Sequence, residues 1–96
     1  MELYKYTESY KIADKTENGW SLDGTANIEA NNSISINGSI VSNEGSSFIG
    51  SFNFYQEAES DRAQVGYNIN IADFDTYVPY ITQIIKDIIN KLRSDG

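Results

Sequence analysis

The side chains with which this sequence could do chemistry are carboxylates, hydroxyls, amides and a few amines. The 96 residues include no Cys and no His. This excludes thiolate nucleophiles, Ser-His-Asp and Cys-His catalysis, and the usual ligands of zinc and haem. The sequence has no glycine-rich phosphate loop, and no carboxylate pair lies in a context that would bury it for acid–base work. We therefore expect a protein that is not an enzyme and uses no cofactor.

Acidic side chains are the most distinctive feature of the composition. Asp and Glu number 14 against 7 Lys and Arg, so the formal net charge is −7. No basic residue lies between Lys15 and Arg62, whereas the acids and bases after residue 73 balance each other. This distribution opposes direct binding to nucleic acid or to anionic membranes, since both require clustered Lys and Arg. It would instead attract a basic protein.

The acidic residues that could bind such a partner fall into two groups. In an antiparallel meander the loops alternate between the two ends of the sheet, so the groups should lie at opposite ends. We predict partner-binding residues at Glu17 and Glu44 on one end, and at Glu57, Glu59 and Asp61 on the other. The function we expect is inhibition or modulation of a basic or nucleic-acid-handling protein. Loop charge that only keeps the protein soluble is the competing interpretation.

Clustered carboxylates could also bind a metal ion. Calcium takes six to eight oxygen ligands, and the EF-hand spacing with its glycine and terminal Glu is missing. Capping of a helix N-terminus explains Asp73 and Asp75 better than metal binding does. We expect no metal site.

The first secondary-structure elements that position these residues are β-strands. Apolar and polar residues alternate from Trp20 to Ile28, from Ile34 to Ile40, from Phe48 to Phe54 and from Val65 to Ile71. A weaker alternation runs from Tyr4 to Ile12. A period of two indicates strands with one buried face. Connections at 31–33, 43–47 and 57–62 have the odd or even lengths that keep the apolar side chains on that face.

After the strands the apolar period changes to that of a helix. The spacing is helical in a set of residues that consists of Tyr77, Val78, Tyr80, Ile81, Ile84, Ile85, Ile88, Ile89 and Leu92. Asp73, Asp75 or Thr76 can serve as the N-cap. If Thr76 is the cap, Pro79 becomes the third helical residue, where no backbone N–H is yet required.

These patterns predict an α+β fold in one domain, residues 1–96. A five-stranded antiparallel β-meander over about residues 2–72 should curl around one C-terminal α-helix over about residues 76–93. One helix is about 10–12 Å wide, whereas five strands span roughly 20–24 Å. The sheet must therefore curl, or another molecule must cover the remainder, and a homodimer is one such arrangement.

Two alternative functions follow from the apolar residues. The protein could carry a small apolar ligand between sheet and helix, at a site formed by Phe52, Tyr67, Tyr77 and Ile81. It could also be a structural subunit that self-associates through uncovered sheet surface. The outward face of the strands, rich in Ser, Asn and Thr, could bind a glycan or an extended peptide, although Tyr55 is the only aromatic residue expected there.

Targeting signals are not visible in the sequence. Glu2 follows Met1, where a signal peptide would have a charged segment and an apolar run, and no stretch of 18 apolar residues occurs. We expect a cytoplasmic protein.

Overall fold

Five strands, a short 3₁₀ turn and one helix follow each other along the chain. A computed structural model describes residues 8–15, 19–29, 32–44, 47–57 and 60–94. The strands are β1 (Glu8–Lys15), β2 (Trp20–Ile28), β3 (Ile34–Ser42), β4 (Phe48–Gln56) and β5 (Ala63–Asn68). The 3₁₀ turn Ile71–Asp73 leads directly into α1 (Phe74–Ser94). The predicted α+β fold is confirmed; the residues before Glu8 that we assigned to the first strand lie outside the described part.

The sheet is the predicted antiparallel meander, with strand order β1-β2-β3-β4-β5. The β3–β4 and β4–β5 loops occupy 43–47 and 57–62, as the alternation predicted. The β2–β3 connection is longer than expected, because β2 ends at Ile28 and Glu29 N donates to Ser33 O at 2.9 Å. Its odd length is retained, so Ile28 and Ile34 still face the same side. Asn32 adopts the left-handed conformation, with φ 70°, that such loops require.

The core lies between α1 and the inward face of the three central strands. Its buried members are Trp20, Leu22, Ala26, Ile34, Ile36, Ile40, Phe52, Phe54, Ile81 and Ile85. Apolar residues on the inward side of the edge strands are covered less well, because one helix is narrower than five strands. Tyr10 and Val65 are both exposed, although each lies opposite a buried residue of the neighbouring strand.

Two glycines allow close packing at the centre of the sheet. Gly24 and Gly38 face each other across β2 and β3. A Cβ atom on Gly24 would lie 2.7 Å from the Cα atom of Gly38, so the two backbones approach more closely than side chains allow. A Cβ atom on Gly38 would lie 2.5 Å from the Phe52 ring, which covers that position. The sequence needs glycine here because the neighbouring strand and the Phe52 ring occupy the side-chain volume.

Two predictions about which side chains are buried were wrong. Phe48 should have joined Phe52 and Phe54 in the core, but it is 61% exposed. The register shifts between Ile40 and Val41, so that Gly50 pairs with Ile40 and Phe48 pairs with the outward-facing Val41. This bulge turns Phe48 to the polar side of the sheet.

The second wrong prediction concerns the end of β5, which stops at Asn68 although the alternation continues to Ile71. The chain passes close over Gly50, where a Cβ atom would lie 2.7 Å from Ile69 Cγ1. It then turns, with Asp73 N donating to Asn70 O at 2.8 Å. As a result Ile71, predicted to lie inside, is 86% exposed.

The helix begins at Phe74, two residues earlier than the predicted start at 76. Pro79 is therefore the sixth helical residue and not the third, and the Asp75 carbonyl lacks the amide donor that another residue would supply. Asp73 directly precedes the helix and Asp75 lies in its first turn, where carboxylates interact favourably with the helix dipole.

Candidate functional site

The predicted partner-binding acids lie on loops at opposite ends of the sheet wherever they are described. Glu44 is exposed in the β3–β4 loop, and Glu57 and Asp61 are exposed in the β4–β5 loop. Glu17 and Glu59 lie outside the described residues. Asn43 N donates to Gly19 O at 2.8 Å, so the β1–β2 and β3–β4 connections meet at one end, as the meander requires.

The β4–β5 end contains a cleft of about 560 Å³, which we call the β4–β5 cleft. Its lining consists of Tyr55, Glu57, Ser60, Arg62, Ala63 and Gln64. Hydrogen bonds to Ser60 shape the loop around it: Gln56 Nε2 donates to Ser60 O at 2.7 Å, and Arg62 N donates to Ser60 Oγ at 3.1 Å. Ser60 N donates in turn to Glu57 O at 3.3 Å. These bonds connect the described residues of the loop on both sides of the cleft.

The chemistry of the β4–β5 cleft is mixed. Within the described part of the chain, neither Glu57 nor Asp61 has an ion-pair partner. Arg62 lines the cleft together with Glu57, and Tyr55 contributes an exposed ring. Tyr and Arg are enriched in the central parts of protein interfaces. Sequence reasoning had selected the two acids but missed Tyr55 and Arg62, because the charge pattern drew attention to carboxylates alone.

The end that contains Glu44 is a hairpin closed by hydrogen bonds. Ser42 N donates to Ser47 O at 2.8 Å, and Glu44 N donates to Ser42 Oγ at 3.2 Å. Ser21 Oγ also donates to the Asn43 side chain, which joins this hairpin to β2. These bonds engage the backbone and the small polar groups, and the Glu44 side chain remains exposed.

A second groove, of about 490 Å³, lies across the outward polar face of the sheet. Its lining consists of Asp23, Gly24, Thr25, Asn37, Gly38, Ser39, Ser51, Phe52, Asn53, Gly66, Tyr67 and Asn68. Asp23 is the only charged residue among them. Two exposed aromatic residues of β4, Phe48 and Tyr55, lie on the same face. Only Tyr55 had been expected there. Gly50, the third residue of β4, was the sequence signal for the bulge that turns Phe48 to this face.

The residues predicted to bind an apolar ligand are packed against other side chains. Phe52 and Ile81 belong to the buried core. Tyr77 meets the Trp20 ring edge to face at 5.1 Å, and the ring centroids of Tyr67 and Phe74 are 6.2 Å apart. Phe52 and Tyr67 also contribute to the lining of the polar groove, but Tyr77 and Ile81 line neither of the two grooves described above. The ligand-carrier hypothesis therefore stays a prediction.

Neither a metal cluster nor a membrane-spanning helix is found in the described ranges. No three or more Asp or Glu side chains there lie close enough together to hold a metal ion. No helix of the described residues is both long enough and apolar enough to cross a bilayer.

The charged cleft and the polar groove are thus the two candidate sites for recognition. β4 and β5 contribute to both, and β2 and β3 complete the lining of the polar groove. Tyr55 lines the β4–β5 cleft. Compared with known proteins, the chain matches no family model, and no curated protein or solved structure is significantly similar to it.

Proposed function

We propose that this protein is a non-enzymatic binding module that inhibits or modulates a basic partner protein, which it contacts through the β4–β5 cleft. The observation that carries the proposal is the exposed Glu57 carboxylate beside Tyr55 in a cleft of about 560 Å³. Asp61, on the same loop, adds a second exposed carboxylate. A basic side chain that enters the cleft would meet negative charge and an aromatic face together.

Typical interaction energies indicate how much each residue of the cleft would contribute to the affinity for the partner. An exposed ion pair contributes only about 0.2–1 kcal/mol, so Glu57 and Asp61 together account for about a tenfold change in affinity. A Tyr or Arg buried at the centre of an interface contributes about 2 kcal/mol or more. Tyr55 would therefore supply most of the affinity, while the carboxylates speed association and reject acidic proteins.

The experiment is affinity capture from the native host, followed by reconstitution with the purified partner. The test variant combines Glu57→Gln with Asp61→Asn. The control combines Glu8→Gln with Asp87→Asn, which removes the same charge from exposed positions outside both candidate sites. We expect a partner with a basic surface, about tenfold weaker binding for the test variant, and binding within about twofold of wild type for the control.

Two results would contradict this function. If both variants lost affinity equally, only the net charge would matter and the cleft would have no special role. If neither lost affinity and binding were insensitive to salt, the partner would not be recognised through carboxylates at all.

The polar groove supports a second candidate function, the binding of a neutral polyhydroxyl ligand such as a glycan. Amide and hydroxyl side chains line the groove, and they both donate and accept hydrogen bonds as sugar hydroxyls require. Phe48 and Tyr55 add exposed rings on which the apolar side of a sugar could stack. The bulge in β4 is the specific observation that favours this candidate, because it brings Phe48 to the polar face.

A glycan array with wild-type protein and the Asn53→Ala variant tests the second candidate. Saturable binding that Asn53→Ala abolishes would support it, since Asn53 lines the groove but not the β4–β5 cleft. The absence of any saturable glycan, or equal binding by the variant, would remove it.

A further inference from the structure

The edge of the sheet formed by β5 lacks the protection that edge strands usually have. In the described part of the chain β5 pairs only with β4. Its residues, Ala63–Asn68, include no charged side chain and no proline, and its pairing with β4 has no bulge. The opposite edge strand, β1, has Glu8, Lys11, Asp14 and Lys15 in its sequence. Charges, prolines and bulges normally prevent an edge from pairing with another chain, so β5 is the edge open to pairing.

Apolar side chains are exposed next to this open edge. Val65 is 43% exposed on the inward side of β5, Phe74 is 37% exposed at the start of α1, and Ile71 between them in sequence is largely in solvent. The Tyr67 ring, on the same side as Val65, contacts Phe74. We call Ala63–Asn68 with the side chains of Ile71 and Phe74 the β5 edge. Grouped apolar exposure of this kind marks an interaction surface more often than chance exposure does.

The charged residues at the two ends of the β5 edge limit which kind of segment could pair with it. In the sequence Glu57, Glu59, Asp61 and Arg62 precede β5, and Asp73 and Asp75 follow it. Five carboxylates against one guanidinium flank a neutral strand. A second copy of this chain paired antiparallel would set the acidic start of one β5 against the acidic end of the other, and each copy already has a net charge of −7. A segment with Lys or Arg at both ends is complementary.

We propose that the β5 edge accepts an extended segment of the basic partner as a sixth strand of the sheet. The segment would have alternating apolar residues, which pack on Val65, Phe74 and Ile71, and basic residues at both ends. Main-chain hydrogen bonds to β5 would provide affinity, and the alternating side chains would provide specificity. This inference rests on the proposed function, because the β4–β5 cleft lies at the beginning of the same strand.

The probe is a synthetic ten-residue peptide with two Lys at each end and alternating Val and Thr between them. One control peptide has N-methyl groups on every central amide, so that it keeps its charge but neither of its edges can donate main-chain hydrogen bonds to β5. A second control has Glu at both ends. Binding is measured by titration calorimetry, and hydrogen exchange of the backbone amides of Ala63–Asn68 is followed by NMR. We expect slower exchange of these amides with the Lys peptide and at least tenfold weaker binding of both controls.

Two variants of the protein, in place of changes in the peptide, test the same edge. Val65→Lys places a like charge where the apolar residues of the peptide should pack, and Val65→Thr keeps the shape without the charge. Val65 is exposed, so we expect both variants to fold, and the thermal unfolding of each serves as the check. We expect at least tenfold weaker peptide binding for Val65→Lys and less than threefold for Val65→Thr.

The inference and the proposed function fail in different ways. Equal binding of the N-methyl peptide, or binding that leaves the exchange of the β5 amides unchanged, would overturn strand addition while leaving the cleft intact. Self-association with β5 amides already protected in the free protein would also overturn it. If Glu57→Gln with Asp61→Asn leaves capture of the natural partner unchanged but Val65→Lys abolishes it, the edge is retained and the role of the cleft carboxylates is withdrawn.

Discussion

The rings of Trp20 and Tyr80 meet edge to face, with centroids 4.5 Å apart and planes at 90°. Trp20 begins β2, and Tyr80 lies in the second turn of α1, so this contact joins the helix to a central strand. Tyr77 contacts the same indole at 5.1 Å from one turn earlier. Aromatic pairs of this geometry contribute about 0.5–1.5 kcal/mol each beyond the area they bury. The indole thus fixes the start of the helix on the sheet.

Tyr80 has a hydroxyl that the protein does not satisfy, since this buried oxygen has no hydrogen-bond partner among the described residues. Tyr80→Phe should therefore leave the free energy of unfolding unchanged or raise it by about 1 kcal/mol, because it removes an unpaired polar group and keeps the ring. Urea denaturation measures this, with Tyr77→Phe as the matched control. A loss of more than about 1 kcal/mol for Tyr80→Phe would show that the hydroxyl has a partner after all.

Gly38 should be far less tolerant of substitution than Gly66. A Cβ atom on Gly38 collides with the buried Phe52 ring, whereas one on Gly66 meets only the Asn53 side chain, at 2.9 Å. We expect Gly38→Ala to lower the free energy of unfolding by about 1–3 kcal/mol and Gly66→Ala by less. Combining Gly38→Ala with Phe52→Leu should cost less than the sum of the single changes, because the smaller side chain frees the space. Equal costs for both glycines would contradict the close packing of Phe52 over Gly38.

Phe48 and Phe52 provide a direct test of the bulge in β4. The register shift leaves Phe48 on the polar face, so Phe48→Ala should cost less than about 1 kcal/mol of unfolding free energy. Phe52→Ala should cost about 3–5 kcal/mol, because the ring is buried in the core. A similarly large loss of unfolding free energy for both variants would contradict the bulge. It would indicate that Phe48 lies in the core, as the alternation in the sequence predicted.

The sequence predicted the sheet well because burial of one face repeats every second residue. Loop lengths of odd or even parity then left few choices of register, and the 43–47 and 57–62 loops fell where they were expected. The errors arose where tertiary contacts override that repeat. Ile71 continues the alternation of β5, yet the turn from Asn70 to Asp73 removes it from the sheet.

The candidate site was less predictable than the fold. Glu57 and Asp61 are recognisable in the sequence by their charge. The cleft that groups Glu57 with Tyr55 and Arg62 involves hydrogen bonds to Ser60, which no sequence pattern predicts. The open β5 edge was equally hidden. Its neutrality is visible in the sequence, but its position as the last strand, beside the exposed Val65 and Phe74, follows only from the fold.

Removal of the cleft aromatic should weaken the partner complex more than removal of the cleft charges. Tyr55→Ala is expected to lower affinity by about 2 kcal/mol, in line with aromatic anchors at the centre of interfaces. The ring is exposed in the free protein, so the thermal unfolding midpoint should change little. Phe48→Ala, which removes another exposed ring of β4, is the control. Equal losses for both rings would move the contact from the cleft to the polar face.

The central claim is that the exposed carboxylates of the β4–β5 loop, Glu57 in the cleft and Asp61 beside it in sequence, contact a basic partner. The salt dependence of that binding tests the claim most directly. The dissociation constant should be measured at about 50 and about 300 mM salt for wild type and for Glu57→Gln combined with Asp61→Asn. We predict that wild-type binding weakens steeply as salt increases and that the variant shows a clearly smaller dependence. An identical dependence in the two proteins would contradict the claim.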